Sequence, residues 1–167
     1  MKGQINLKIL TPNLIKKDIL KWYEDEDVVR YSDNQYRKIT LKSQKKYVND
    51  CLESDSKFLY GIFIDEIYIG NILITNIYYY HKTGEISFFI GDKNYWGKGI
   101  MSQAIKIIIG ISKNNLKLSK IYAGVASENY GSIKVLKKNK FKIEGVKKQH
   151  LIYNSRNYDQ YDFCLFL

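Results

Sequence analysis

A mixed, mostly antiparallel α/β sheet follows from two features of the chain. Its middle, "KFLYGIFIDEIYIGNILITNIYYY" and then "GEISFFIG", is dense in β-branched and aromatic residues, the composition of paired strands. After residue 96 helical and extended patterns alternate, which calls for strands separated by crossover helices. The resulting order is β-αα-βββ-α-β-α-ββ. That is about seven strands and about four helices, in one domain over residues 1–167.

The elements follow in turn. "INLKIL" alternates like a short strand. "TPNLIKKDILKWYED" reads as a helix with Thr11 as N-cap and Pro12 as its first residue. Leu14, Ile15, Ile19, Leu20 and Tyr23 recur in it at helical spacing. "LKSQKKYVNDCLESD" is a second helix, by Leu41, Tyr47, Val48 and Cys51. In the β-rich middle, Asp65-Glu66 makes a hairpin turn. "GKGIMSQAIKIIIGISKNN" is a long apolar helix, "KIYAGVAS" a buried strand, and "NYGSIKVLKKNK" an amphipathic helix. "FKIEGVKKQHLIY" and "NYDQYDFCLFL" close the chain as a hairpin.

Composition narrows the class of protein. Apolar residues make up 45% and charged residues 26%, which suits a packed core and argues against disorder. No run is apolar long enough to span a bilayer, and "MKGQINLKIL" lacks a signal-peptide h-region. A soluble, cytoplasmic domain is expected. Cys51 and Cys164 have neither zinc-ligand spacing nor a C-x-x-C partner, so buried free thiols are expected. With His81 and His150 the only histidines, no metal site is expected. The formal charge is +10. It suits a polyanionic partner, or it is a solvated surface of scattered lysines ("IKK", "SQKKY", "LKKNK", "VKKQ"). It argues against a polycationic substrate.

The stretch "NYWGKGIMSQAI" carries the chemistry. Gly97 and Gly99 let backbone N–H groups approach a ligand without Cβ clashes. The helix that follows adds its N-terminal partial charge, which gives an anion cradle suited to a pyrophosphate. A dinucleotide fingerprint fails because Ser102 stands at the third glycine, and no P-loop is present. A purely structural glycine turn stays open on this motif alone.

In context the chain resembles the GNAT superfamily of acetyl-CoA-dependent acyltransferases. That family's (Gln/Arg)-x-x-Gly-x-(Gly/Ala) motif falls on Trp96-Gly97-Lys98-Gly99-Ile100-Met101. Trp96 and Met101 depart from it. "W-G-K-G" before a helix is similar to the branch of ribosomal-protein N-terminal acetyltransferases. "ENYGSIKVLKKNKFKIEGVKK" resembles that branch's Asn-x-x-Ser helix and the hairpin after it, with Lys140 in place of a glycine. The resemblance covers essentially the whole chain. It implies the GNAT fold, acetyl-CoA as co-substrate and no metal. It implies cofactor contacts from Phe89 and Ile90, from Trp96 through Met101, and from Ser102 and Asn129.

Acetyl transfer to an amine needs loss of a proton, donors for an oxyanion and a proton for the departing thiolate. Glu85 starts the strand "EISFFI" that feeds the glycine turn. Alternation sets Glu85, Ser87 and Phe89 on one face and Ile86, Phe88 and Ile90 on the other. Several GNAT enzymes carry their base at this place, so Glu85 is the candidate base and His81 a weaker one. A plain hydrophilic strand end is the structural alternative. The family's splay of this strand from the next would free N–H groups near Phe89 and Ile90. Leu136 occupies the place of the family's usual tyrosine donor. Ser132 is then the candidate donor, with Asn129 beside it and Tyr130 an outside candidate. The same "ENYGS" also reads as a capped helix start.

By the resemblance, the acceptor meets the first two helices, their loop and the last hairpin. Those regions offer Trp22, Tyr23, Tyr31, Ser32, Tyr36, Tyr78, Tyr79, Tyr80, Tyr153 and Tyr158, of which Trp22, Tyr31 and Tyr79, with His81, are the candidate acceptor contacts. Most of the 15 tyrosines also suit a core. Acidic residues gather only in "YEDED". "YSDN", "IGNI", "IGDKNYWGKG" and "ENYGSIK" look like GNAT enzymes that acetylate nucleotide-linked amino sugars of surface-glycan pathways. That acceptor is the reading preferred. A protein α-amine, as on a ribosomal protein, is an alternative, and so is a polyamine, since the middle of the chain also resembles spermidine acetyltransferases. A different class is a non-catalytic module that binds acyl-CoA or RNA. The chain lacks RNP-like aromatic motifs, so nucleic acid is not an expected partner. A homodimer is compatible with these readings.

Overall fold

The computed structural model describes residues 3–167. Their strands are β1 (Ile5–Ile9), β2 (Phe58–Ile64), β3 (Ile67–Tyr78), β4 (Thr83–Ile90), β5 (Lys120–Ala126), β6 (Lys142–Tyr153) and β7 (Arg156–Phe166). They form one open sheet in the order β1-β2-β3-β4-β5-β7-β6. Every neighbouring pair is antiparallel except β4 and β5, which run parallel. The β2–β3 turn is Asp65-Glu66 (φ 45° and 69°), and Asn154-Ser155 (φ 49° and 59°) joins β6 to β7. Two successive residues at positive φ make the turn whose twist matches antiparallel strands.

The helices are α1 (Leu20–Glu24), α2 (Glu26–Val29), α3 (Leu41–Leu52), α4 (Ile100–Asn114) and α5 (Tyr130–Lys138). The described residues thus hold five α-helices rather than about four: the first expected helix keeps only α1, and α2 lies beyond its end. Pro12–Leu14 and Lys17–Ile19 are 3₁₀ turns, and Thr11 makes no capping bond. Ile15 and Lys16 between them are extended. Tertiary burial overrides local helical spacing here: Leu10, Ile15, Ile19 and Trp22 all enter one cluster with Leu59 and Phe63. Asp25 then accepts from the Asp27 N–H and starts α2. The second expected helix forms as α3, opened by a capping box between Thr40 and Ser43.

Each face of the sheet has its own core. One face packs on α4 and α5 through Ile72, Ile74, Ile86, Ile121 and Phe163 against Ala104, Ile105, Ile108 and Leu136. These α4 positions recur at three and four residues, so one stripe of that helix is buried. The other face carries α1 and α3 over β2 and β3, with Trp22, Val48 and Cys51 inside. Cys51 and Cys164 are both buried free thiols. None of the described helices is long and apolar enough to cross a membrane.

Candidate active site

Strands β4 and β5 pair at only three positions, Thr83–Lys120, Gly84–Ile121 and Glu85–Tyr122. Beyond them the strands part, and the gap opens into a cleft of about 1390 Å³ lined by Ile86 to Ile90 on one side and Gly124 to Ala126 on the other. The β3–β4 ladder decides which backbone groups face it. Gly91 N–H bonds Ile69 O at 2.8 Å, so in the alternating antiparallel pattern Phe89 pairs with β3 while Phe88 and Ile90 turn their N–H groups away from β3, toward the gap. The Ile90 carbonyl agrees, since it accepts from the Trp96 indole at 2.8 Å. Of the two strand positions expected to offer donors, Ile90 turns its N–H toward the gap, as Phe88 does, and Phe89 turns its N–H toward β3.

The glycine turn closes one end of the cleft. Gly97 and Gly99 both have positive φ, 71° and 76°. No atom lies within 4 Å of where a Cβ would sit on either. Gly99 is the N-cap of α4 and has no side chain to offer, so the first N–H groups of this 15-residue helix are uncapped. That leaves donors, a helix dipole and open space in one place, a fit to a pyrophosphate. Trp96, which departs from the family motif, fastens the turn to the end of β4 through its indole. Ile100 and Met101 are buried and line the cleft. Lys98 lies over the Tyr95 ring at 5.8 Å instead of among the lining residues. Ser102 lines the cleft, but its hydroxyl accepts from the buried Asn139 amide at 3.0 Å. Its side chain therefore ties α4 to α5, leaving the backbone N–H for a ligand.

Helix α5 brings Asn129, Tyr130 and Ser132 to the cleft. The Asn129 side chain accepts from the Ser132 N–H at 3.1 Å and caps the helix. Tyr130 is largely exposed at its start. Leu136 is fully buried in the core. Lys134 and Lys138, one helical turn apart on α5, also border the cleft.

Glu85 stands at the last paired position before the split. Its carboxylate accepts from Asn76 Nδ2 at 2.8 Å. Asn76 has φ 47°, in an irregularity of β3 that brings it opposite β4. The residue lines a smaller depression of about 410 Å³, with Tyr122, Lys120, Glu144 and Asp162, and not the main cleft. Burial pushes the Tyr122 phenol up, and the charge of Glu85 adds to it. The hydrogen bond from Lys120 holds the Glu144 carboxyl low. Two residues border both spaces, Gly124 and Gln160.

The expected acceptor residues separate. Tyr31 lines the cleft, its ring edge-on to Tyr153 and Tyr158 at 6.2 and 5.7 Å. Trp22 is instead buried, tilted against Tyr68, edge-on to Phe89 and laid over Gly91, whose added Cβ would meet its ring at 2.0 Å. Large apolar area and a bare glycine beneath it draw the indole into the core. Tyr79 is on the surface, its hydroxyl bonded to the Asp55 carbonyl, and His81 is an exposed turn residue against Tyr80. Neither borders the cleft. Sequence reasoning missed Arg30, Gly124 and Gln160, all lining residues. Only the split between β4 and β5 gives them meaning, and no local pattern marks them.

The family model described as acetyltransferase (GNAT) domain matches residues 9–142. The chain belongs to the GNAT acetyltransferase family. Probable N-acetyltransferase YjcK of Bacillus subtilis (strain 168) is 32% identical over 139 residues, covering 80% of this chain and 74% of that one. Spermidine N(1)-acetyltransferase of Escherichia coli (strain K12) is 25% identical over 147 residues, covering 87% and 72%. Among solved structures, the ribosomal L7/L12 alpha-N-protein acetyltransferase in complex with coenzyme A gives a TM-score of 0.88 at 18% identity, covering 98% of this chain and 94% of that one. Spermidine N-acetyltransferase from Vibrio cholerae in complex with CoA and spermine gives 0.86 at 20% identity, covering 98% and 95%. At such identities the likeness is one of fold. As a GNAT protein the chain is an N-acetyltransferase of the acetyl-CoA-dependent type.

Proposed function

We propose that the cleft takes acetyl-CoA and transfers its acetyl group to the primary amine of an acceptor that carries negative charge, a nucleotide-linked amino sugar. The observation that carries this reading is the β4–β5 split running into an uncapped helix start beside two open glycines. First-turn N–H groups at Gly99 to Ser102 would hold the pyrophosphate, and the Ile90 and Phe88 N–H groups would meet the thioester and pantetheine. The thioester supplies the acyl group. Everything else is positioning and proton handling by the chain.

Charge supports an anionic acceptor. The cleft is bordered by Arg30, Arg37, Lys38, Lys134, Lys138 and Arg156, against Asp27 and Glu128. Both acids are engaged, Asp27 by Lys93 and Glu128 by Arg156. Asp25, the remaining aspartate of "YEDED", also binds Lys93. A polyamine would find few free carboxylates here, whereas a diphosphate would find Arg30, Arg37, Lys38, Lys134 and Lys138, which make no ion pair among the described residues. Tyr31, Tyr153 and Tyr158 offer ring faces and edges to a sugar or base.

In this reading Ser132 protonates the departing thiolate. Glu85 takes the amine proton through water, because it lies outside the cleft and the next residue on its face that lines it, Ser87, is two strand positions or about 7 Å further on. The reading treats residues 1–167 as one catalytic domain acting in the cytoplasm, alone or as a homodimer. The test is thiol release from acetyl-CoA with UDP-glucosamine, a serine-initiated peptide and spermidine, with product masses. Acetylation of UDP-glucosamine well above the others supports the reading. Preference for the peptide or spermidine moves the acceptor to a protein α-amine or a polyamine. Acetyl-CoA binding without turnover on any amine would leave a non-catalytic acyl-CoA module.

A further inference from the structure

We infer that Gln160 binds the acceptor's amine nitrogen, with Asp162 fixing which end of its carboxamide faces the cleft. This rests on the acyl-transfer reading above and adds to it the group that orients the nucleophile. Gln160 lies on β7 opposite Ala126 of β5, while Gly124 lies opposite Asp162. Its side chain reaches diagonally over Gly124: a Cβ there would be 2.7 Å from Nε2 and 3.4 Å from Oε1. The carboxamide thus occupies the space that the missing side chain leaves. It borders both the cleft and the Glu85 depression, whereas Asp162 borders only the depression.

The two ends of an amide differ, and Asp162 tells them apart. An ionised carboxylate only accepts, so it takes the Nε2–H end, at 2.6 Å. Burial pushes the Asp162 carboxyl up, but the bonds from Gln160 and Lys147 outweigh it and hold it low, so the anion persists. Oε1 makes no hydrogen bond among the described residues. A carbonyl oxygen presented this way accepts an N–H from an incoming amine. Doing so would leave the amine lone pair free to point along the β4–β5 gap, with Glu85 on the far side of Gln160.

The experiment measures steady-state KM and kcat of the full chain with UDP-glucosamine, the serine-initiated peptide and spermidine, using whichever the wild type acetylates. Gln160→Met keeps the length and removes the acceptor atom. It should raise the amine KM or lower kcat/KM about tenfold or more, the worth of one hydrogen bond to a polar or charged partner. The acetyl-CoA KM should stay within about twofold. Asp162→Asn leaves Gln160 in place and should shift the amine KM the same way by a smaller factor, since an amide partner accepts either end. It also keeps the test open should Gln160→Met fail to fold, which circular dichroism would report. Unchanged amine kinetics in both variants, or equal loss for both substrates, overturns the assignment alone. Wild-type inactivity on all three amines overturns the acyl-transfer reading and this one with it.

Discussion

Glu85 and Ser132 divide the proton handling in the proposed reaction, and each has its own signature. A positioned base contributes about 10²–10⁴-fold. Glu85→Gln keeps the shape and still accepts from Asn76 Nδ2, but loses basicity. Its kcat/KM at neutral pH should fall within that range, and the deficit should shrink as pH rises through the acceptor amine's own pKa, where the free amine needs no base. A deficit that stays constant with pH would make Glu85 a residue that positions the acceptor, and wild-type turnover would remove it from the mechanism. Ser132→Ala should lower kcat more than it raises the acetyl-CoA KM. The Asn129 cap survives that change, because Asn129 bonds the Ser132 N–H and not its hydroxyl. Stability should therefore hold, and a loss confined to KM would recast Ser132 as a cofactor contact.

Helix α4 earns its part from how it begins. Gly99 has φ 76°, a conformation that costs a side-chain residue roughly 1 kcal/mol. It also offers no cap, so the helix start is left for a ligand. Gly99→Asp adds a Cβ in the open space, a competing cap and a negative charge. Calorimetry should show acetyl-CoA affinity falling by at least about tenfold, which one charge against a pyrophosphate at short range supplies. Unchanged affinity would remove the glycine turn from the cofactor site. The 3₁₀ turn before it, Lys93–Tyr95, is also held from outside. Lys93 bridges Asp25 and Asp27, tying the glycine-turn end of the cleft to the α1–α2 junction on the acceptor side. Lys93 and Asp27 are exposed and Asp25 is half-buried, so the tie is weak in salt and acts on geometry more than on stability.

Across the whole molecule, partly buried tyrosines set an alkaline limit. Burial pushes Tyr23 up to about 12, and Tyr68 is raised further by the same cause. Both pack in the Trp22 cluster. An unfolded tyrosine titrates near 10. The folded form binds its protons more tightly, so this contribution to stability is full below pH 10 and is lost as pH rises through about 12. Unfolding in that window should release tyrosinate absorbance together with loss of the far-ultraviolet signal. Tyrosinate appearing near pH 10 with the fold intact would mean that this cluster opens to water.

Much of this molecule was determined locally. Density in β-branched and aromatic residues made β2, β3 and β4 legible, a two-residue polar break marked the Asp65-Glu66 turn, and the apolar run of α4 needed only its own sequence. Gly97 and Gly99 were legible as a turn entering a helix, where glycine supplies the positive φ. What the sequence could not decide depended on strands distant in the chain. Pairing of β4 with β5 stops after Glu85–Tyr122, and that stop makes the cleft and leaves Glu85 just outside it. Trp22 looks the same in sequence whether it stacks on a substrate or on Gly91, and only packing put it on Gly91. The Ser102 hydroxyl reads as a ligand contact until Asn139, 37 residues away, bonds it and leaves only the backbone N–H free for one. Gln160 carries no motif at all. Its place comes from β7 inserting between β5 and β6, because a local pattern fixes which face a side chain takes, while its neighbours are chosen by contacts across the sheet.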